Sequence, residues 1–458
     1  MHNFALVMLA AGQGKRMHSP VPKIFFPALG KPLVWYLVNE TEPLAFGERF
    51  LVVAPSFVEK AQGFFGDALK IVPQREPLGT GDAVRSVLPF LGEGIESLLV
   101  LYADMPLVPG GILQGFCEFF ARTGCDLAFV VTSSLNPSGF GRVIRDLQGR
   151  PLRIVEEKDC SPLERGIQEI NVGIFAFRRS LALTLLPLLE NRNTQGEFYL
   201  TDLVALAQDR GFSVAAYEVE WSREFMNVNT PSDFALLLRL LREKKLESLF
   251  SQGVKILDPE AVYIDWDVEV GEDTWIYPGV VVEGKTVIAS CVRIGPFSRI
   301  MESTIGKGSR VEYSVVEYSR IAEDVQVGPF AHLRPGTELA PRVRIGNFVE
   351  VKNSSVGEGT KALHLAYLGD ATIGKAVNIG AGTITCNFDG VKKNPTFIED
   401  EVFIGSNNSL VAPVRVGKGA YTAAGSTITQ NVPPYALGVG RARQINIEGW
   451  AKRKKRDG

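Results

Sequence analysis

The sequence predicts two dissimilar halves, an α/β domain with a Rossmann-like, mainly parallel sheet followed by a parallel β-helix. Three observations lead there. Aliphatic runs alternate with helical patterns over the first hundred residues, as in a parallel sheet covered by helices on both faces. From Ile264 onward, aliphatic residues stand six apart. The 458-residue chain is also too long for one ordinary core.

In chain order, Phe4–Leu9 reads as a buried strand and runs into Ala10, Ala11, Gly12, Gln13, Gly14, Lys15, Arg16 and Met17. A strand opening into a glycine-rich turn presents backbone N–H groups to phosphate. Met17 stands where a dinucleotide fingerprint needs its third glycine. No Gly-Lys-Ser/Thr closes the loop, so it is not a Walker loop either. What remains is a phosphate loop flanked by Lys15, Arg16 and Lys23, or a plain turn with surface charges.

Arg49–Ala54 and Ser97–Tyr102 read as further strands, with helices expected near 33–40, 57–65 and 109–121. Functional residues of such sheets gather beyond the strand C-termini, where Leu78–Gly81 and Ala103-Asp104 fall. A carboxylate there suits a hard cation such as Mg²⁺, though Asp is also a common turn residue. Thr230-Pro231-Ser232-Asp233 opens a helix with proline at its first position. Its Leu-rich continuation is expected to connect the domains. The expected boundaries are 1–229 for the α/β domain, 230–255 for the connecting helix and 256–458 for the β-helix.

The second half is a ladder. Ile264, Val270, Ile276, Val282, Ile288, Ile294 and Ile300 keep one phase, resumed at Ile321 to Val351 and again at Ile398 to Ile428. Neither a helix nor an ordinary strand asks for a period of about six. A β-helix does, with one inward rung per flat face. The phase is expected to fail between Ile384 and Ile398, so Thr385–Phe397, with Asn387, Asp389, Lys392 and Lys393, is read as an expelled arm.

The formal net charge of −2 gives no bulk case for nucleic acid or an anionic membrane. Only the tail Lys452–Arg456 is strongly basic. The run Phe4–Ala11 is too short to span a bilayer and lacks the cationic region of a secretory signal. The five cysteines show no CxxC or paired spacing. No disulfide framework or zinc site is therefore expected, and the expected location is the cytoplasm.

Certain stretches are specific enough to carry a resemblance. They are Leu9–Met17, Leu78–Gly81, Gln195–Asp202, Gly346–Lys352, His364–Asp370, Asn378–Asn387 and Leu410–Pro413. End to end, the chain resembles the bifunctional bacterial family that joins N-acetylglucosamine-1-phosphate uridyltransferase to glucosamine-1-phosphate acetyltransferase and makes UDP-N-acetylglucosamine. The resemblance implies a nucleotidyltransferase domain and a left-handed β-helix of hexapeptide repeats.

The substrates it implies are glucosamine-1-phosphate, acetyl-CoA, N-acetylglucosamine-1-phosphate and UTP, with Mg²⁺ at the uridylyl site. It also implies a homotrimer through the β-helix, with the arm reaching an adjacent subunit. Carried over by position, the acetyl-transfer base falls on His364, with Glu350 as its acidic partner. Sugar-phosphate contacts fall on Arg334, Lys352, Tyr367 and Asn378. Acetyl-CoA contacts fall on Ala381, Asn387, Phe388, Ser406, Ala424 and Arg441.

In the first half, UTP contacts fall on Leu9, Ala10, Ala11, Gly12, Arg16 and Lys23, with Gln74, Gly79 and Thr80 at the uracil. Tyr102 and Ala103 border that site, the metal falls on Asp104 and Asn229, and the sugar on Gly141, Glu156 and Asn171. The chemistry agrees for His364: acetyl transfer needs a proton acceptor near neutral pH, which imidazole supplies. Of four histidines only His332 and His364 lie in the β-helix.

The chain departs from the family at Lys15, Ala103, Val172 and Phe388, where threonine, glycine, threonine and tyrosine are usual. Two other readings compete: an acetyltransferase with an inactive first domain, and another sugar-1-phosphate nucleotidyltransferase with a regulatory β-helix.

Overall fold

The structure, a computed structural model, describes residues 1–12 and 14–454. The side chain of Lys15 and the end of the basic tail, 455–458, lie outside the described residues. The chain divides into two compact units, Met1–Arg239 and Leu240–Gly458. The division falls inside the long helix Pro231–Ser251. The start of that helix is capped reciprocally. The Asp233 carboxylate accepts from the Thr230 N–H at 2.7 Å, and the Thr230 hydroxyl accepts from the Asp233 N–H at 3.2 Å.

In the first unit, β1 (Phe4–Leu9), β2 (Glu48–Val53), β3 (Lys70–Pro73) and β4 (Ser97–Tyr102) are parallel neighbours in the order β4-β1-β2-β3. β5 (Leu127–Ser133) and β8 (Glu169–Arg178) continue the sheet, with β8 antiparallel to both β4 and β5. β6 (Gly141–Arg145) and β7 (Pro151–Val155) form a side flap on β8, and β9 (Val214–Glu218) closes the edge beside β5. Strand β1 shows why its sequence is apolar throughout. Leu6 and Met8 enter one core cluster while Ala5, Val7 and Leu9 enter the other, so both faces are covered.

The second unit is a stack of coils with three flat walls. The walls begin with Lys255–Ile256, Tyr263–Ile264 and Glu269–Val270. Every ladder pairing within them is parallel, as in Ile276↔Ile294, Val282↔Ile300 and Val270↔Ile288. The six-residue rungs point inward and make one continuous core. Fully burying each such side chain contributes about 1.5–3 kcal/mol. Small residues two places before many rungs are buried too, with their hydroxyls answered by the next coil. The Thr274 hydroxyl, for example, donates to the Ala289 carbonyl at 2.9 Å.

One rung differs from the sequence reading. Ile384 faces outward, 45 % exposed, and Thr385 is the fully buried rung. Its hydroxyl accepts from the Gly369 N–H at 2.8 Å and donates to the Gly369 carbonyl at 3.0 Å. The hydroxyl is thus satisfied inside the stack, and the phase runs unbroken from Ile379 through Thr385. The arm leaves the stack only after Cys386, which still pairs with Val411. It folds on itself, with Phe388 bridging Lys393, and the Asp389 carboxylate accepts N–H groups of Val391 and Lys392 at its tip.

Candidate functional sites

In the first unit, the residues singled out from sequence converge at the C-terminal ends of β1, β3 and β4. The Ala103 N–H donates to the Leu9 carbonyl at 3.0 Å, which joins the phosphate loop to the segment carrying Asp104. Leu9, Ala10 and Ala11 are buried beneath that loop, whereas Gly12 and Arg16 are exposed on it. Across the loop, the Lys23 ammonium bridges two oxygens, Asp104 Oδ2 at 2.5 Å and Asn229 Oδ1 at 2.8 Å. The Val228 N–H holds the Asp104 carbonyl at 2.9 Å, so the two oxygen donors are fixed to each other through the backbone.

A second line of contacts runs from Gln74 to Asn171. The Gln74 amide donates to the Gly79 carbonyl at 3.0 Å and to Asp82 at 2.9 Å. Gly79 has φ +113°, and a side chain there would meet the Phe198 carbonyl oxygen at 2.7 Å. The Thr80 hydroxyl accepts from the Leu200 N–H at 2.9 Å and also bonds Tyr102. Burial pushes the Tyr102 phenol up, so it stays protonated.

Asn171 accepts from the Gly173 N–H at 3.0 Å, and Gly141 lies against Ile154 and Glu156. Burial raises the Glu156 carboxyl, partly offset by the Thr201 hydroxyl 2.9 Å away. Burial, together with Glu156 and Asp159, raises Asp202 to about 6. Sequence reasoning did not single out Asp202.

Two departures from the family pattern prove to be core positions. Ala103 is fully buried, and Val172, 1 % exposed, belongs to the hydrophobic core. Neither removes a polar group from the cleft.

Among the described residues, no cluster of three or more His, Cys, Asp or Glu side chains could hold a metal. The fit of a hard cation rests instead on Asp104 and Asn229, whose oxygens already share one positive charge, that of Lys23. Two such donors leave the remaining positions to water and substrate phosphate, the usual arrangement for Mg²⁺.

In the second unit, several residues singled out from sequence lie on the wall that carries Glu350–Lys352 and Tyr367–Gly369. His364 is exposed at the corner leading into that wall. Its Nδ1 lies 2.8 Å from Asn347 Oδ1. The expected partner, Glu350, is engaged elsewhere: its carboxylate accepts from Arg334 at 2.7 Å. The other β-helix histidine, His332, is paired with Glu317 at 3.2 Å.

Lys352 is bonded to Lys393, and this second ammonium holds the Lys352 pKa below the usual lysine value. Lys393 comes from the arm of the same chain, which lies on its own coils. Asn387 donates to Asp370 at 2.5 Å and to the Tyr367 hydroxyl at 3.4 Å. Lys393, Asn353 and Asp370 line an open cleft of about 410 Å³.

The residues expected at acetyl-CoA are only partly gathered. Ala381, Ser406 and Ala424 occupy one corner of successive coils. There the Asn407 N–H donates to the Ala381 carbonyl and the Gly425 N–H to the Ser406 carbonyl, each at 2.7 Å. Asn378 sits on the adjoining wall between Lys361 and Phe403. Phe388 is exposed on the arm, and Arg441 lies in an exposed irregular segment.

An α/β unit with a phosphate loop at its strand ends, joined to a left-handed hexapeptide β-helix with an outward imidazole, defines a two-headed transferase. Family comparisons agree with both halves. Residues 6–188 match the MobA-like NTP transferase domain, 267–302 the bacterial transferase hexapeptide, and 395–430 the hexapeptide repeat of succinyl-transferase. Relatives named bifunctional protein GlmU match nearly end to end. That of Carboxydothermus hydrogenoformans is 44 % identical, covering 97 % of this chain and 99 % of the relative. That of Thermotoga petrophila is also 44 % identical, over 98 % and 99 %, and that of Pelobacter propionicus 44 % over 100 % of both. The chain belongs to the GlmU family of bifunctional proteins. It is a nucleotidyltransferase and an acetyltransferase in one polypeptide. No helix among the described residues is long and apolar enough to cross a membrane.

Proposed function

We propose that the chain acetylates glucosamine-1-phosphate with acetyl-CoA on the β-helix, then transfers UMP from UTP to N-acetylglucosamine-1-phosphate on the α/β unit. The products are UDP-N-acetylglucosamine and pyrophosphate. The observation that carries this reading is that one chain keeps both an oxygen pair already holding a positive charge and an exposed imidazole with its second nitrogen engaged.

For acetyl transfer, Lys352, Lys393 and Arg334 are the cations offered to the sugar phosphate, with Tyr367 and Asn378 beside them. The amine nitrogen attacks the thioester carbonyl, the C–S bond breaks, and His364 Nε2 takes the amine proton and returns it to the departing thiolate. The Ala381, Ser406 and Ala424 corner, with Asn387, Phe388 and Arg441, is assigned to acetyl-CoA.

For uridylyl transfer, the sugar-phosphate oxygen attacks the α-phosphorus of UTP and pyrophosphate leaves in line. No protein nucleophile is needed, because catalysis is by positioning and electrostatics. The 9–12 loop, Arg16 and Lys23 hold the triphosphate. Gln74, Gly79 and Thr80 hold uracil, with Tyr102 and Ala103 bordering the site. Gly141, Glu156 and Asn171 hold the sugar. Mg²⁺ on Asp104 and Asn229 would supply charge neutralisation at the phosphates.

We assign the acetyltransferase to a homotrimer built on the β-helix. Supporting this, Phe297, Tyr313, Phe330 and Phe348 form an exposed ladder of rings, one per coil, with centroids 5.6–6.2 Å apart.

One assay tests the two activities. Purified protein is given glucosamine-1-phosphate with acetyl-CoA, then N-acetylglucosamine-1-phosphate with UTP and Mg²⁺, while free thiol and pyrophosphate are followed separately. Each pair is expected to react without the other. Thiol release without pyrophosphate release would leave an acetyltransferase with an inactive first domain. Sedimentation of the intact protein tests the trimer.

A further inference from the structure

Among the described residues, the polar partner placed against the His364 ring is an amide, not a carboxylate. Nδ1 lies 2.8 Å from Asn347 Oδ1. Two carboxylates of the adjoining wall are engaged elsewhere, Glu350 by Arg334 at 2.7 Å and Glu317 by His332 at 3.2 Å.

The pair is held by the stack itself. Asn347 and His364 are register partners on successive coils, and the Leu365 N–H donates to the Asn347 carbonyl at 3.0 Å. On one side of Asn347 stands Gly346, where any side chain would run into the Leu363 carbonyl. Only glycine lets the two coils close to this spacing. On the other side, Phe348 stacks on Phe330 with centroids 5.6 Å apart and planes 9° from parallel. The amide is therefore fixed by both of its chain neighbours and by the coil above.

A neutral imidazole carries one N–H. If that proton sits on Nε2, the nitrogen has no lone pair to offer an amine. We propose that Asn347 is a positioning residue for acetyl transfer. Its side-chain oxygen accepts the Nδ1–H of His364 and so leaves the lone pair on Nε2. This rests on the assignment of His364 as the proton acceptor. Unlike a carboxylate, an amide oxygen selects the tautomer without adding charge beside the ring.

The test compares Asn347→Leu, which removes the acceptor, with Asn347→Asp, which keeps it and adds a charge. The Leu variant is expected to lose about 10- to 100-fold in kcat for thiol release, the usual size for a lost orienting partner, with KM values nearly unchanged. The Asp variant is expected to retain most of kcat while the acid limb of its kcat/KM profile moves up by about one pH unit. ¹⁵N spectra of histidine-labelled protein, assigned with His364→Ala, are expected to show the Nδ1–H tautomer in the wild type.

A Leu variant with wild-type kcat and pH profile, or a wild-type spectrum of the Nε2–H tautomer, overturns the proposal. Should the Leu variant fail to fold, the wild-type spectrum and the Asp profile decide. His364→Ala separates the two claims: full thiol release in that variant removes His364 as acceptor whatever Asn347 does.

Discussion

The Lys23 ammonium lies between Asp104 and Asn229, 2.5 Å from the carboxylate and 2.8 Å from the amide oxygen. A divalent cation must displace that charge to reach the same oxygens. A hydrogen bond between charged groups contributes about 1.5–3 kcal/mol, so the contact opposes metal binding until Lys23 finds another anion. Lys23→Met is expected to bind Mn²⁺ alone at least about 10-fold more tightly, read by electron paramagnetic resonance, while binding UTP more weakly. Unchanged Mn²⁺ affinity would mean that the ammonium leaves at no cost.

The two chemistries are expected to fail separately. His364→Ala should lower thiol release by roughly 10²–10⁴-fold, the range for a positioned general base, and leave pyrophosphate release intact. Asp104→Asn should do the reverse at ordinary Mg²⁺. Loss of both activities in either variant would count against two independent sites.

Lys393 stands beside Lys352 and holds its pKa down. Two ammonium groups kept together repel until a phosphate separates their charges. Lys393→Ala should therefore raise KM for glucosamine-1-phosphate by about 10-fold, one charge-assisted bond, with little change in kcat, since the contact exists before and during the reaction. A fall in kcat at constant KM would move Lys393 to the reacting centre.

Asp202 is raised to about 6 by burial and by Glu156 and Asp159. The folded chain therefore holds this proton more tightly than the unfolded chain does. Its ionisation weakens the fold as pH rises from about 4 to about 6, and the loss persists above that. Asp202→Asn should raise the Tm measured at pH 8 and change little at pH 4. An equal effect at both values would show that the carboxyl titrates normally.

The two architectures were readable because burial is written into their periods: a continuous run for a covered parallel strand, one aliphatic in six for a β-helix wall. Thr385 was misread because hydropathy ranks isoleucine ahead of threonine, while the stack supplies a carbonyl and an N–H that make the hydroxyl the better rung. Glu350 was expected on His364, but Arg334 takes the carboxylate and the ring meets Asn347 instead. Asn347 lies in the Gly346–Lys352 stretch, but only the stacking of successive coils ties it to the His364 ring. Lys393 sits in an arm without a period, so nothing in the sequence said which coil it would lie against. Asp202 owes its raised pKa first to burial and then to two carboxylates far away in the chain, Glu156 and Asp159, and neither is legible from its own stretch.

Coil length in the β-helix is not uniform. Eighteen residues separate Ile276 from Ile294, seventeen Ile288 from Ile305, and sixteen Ile300 from Val316, yet each pair meets in register. The slack is absorbed at the corners, and each coil is bonded chiefly to the tiers above and below it. Such a column can gain or lose a whole tier without any remaining tier being retuned. A single-residue deletion at a corner is also survivable, whereas one inside a wall turns a rung outward. Lineages of this architecture are thus free to change height by duplication while the few tiers that carry chemistry stay as they are.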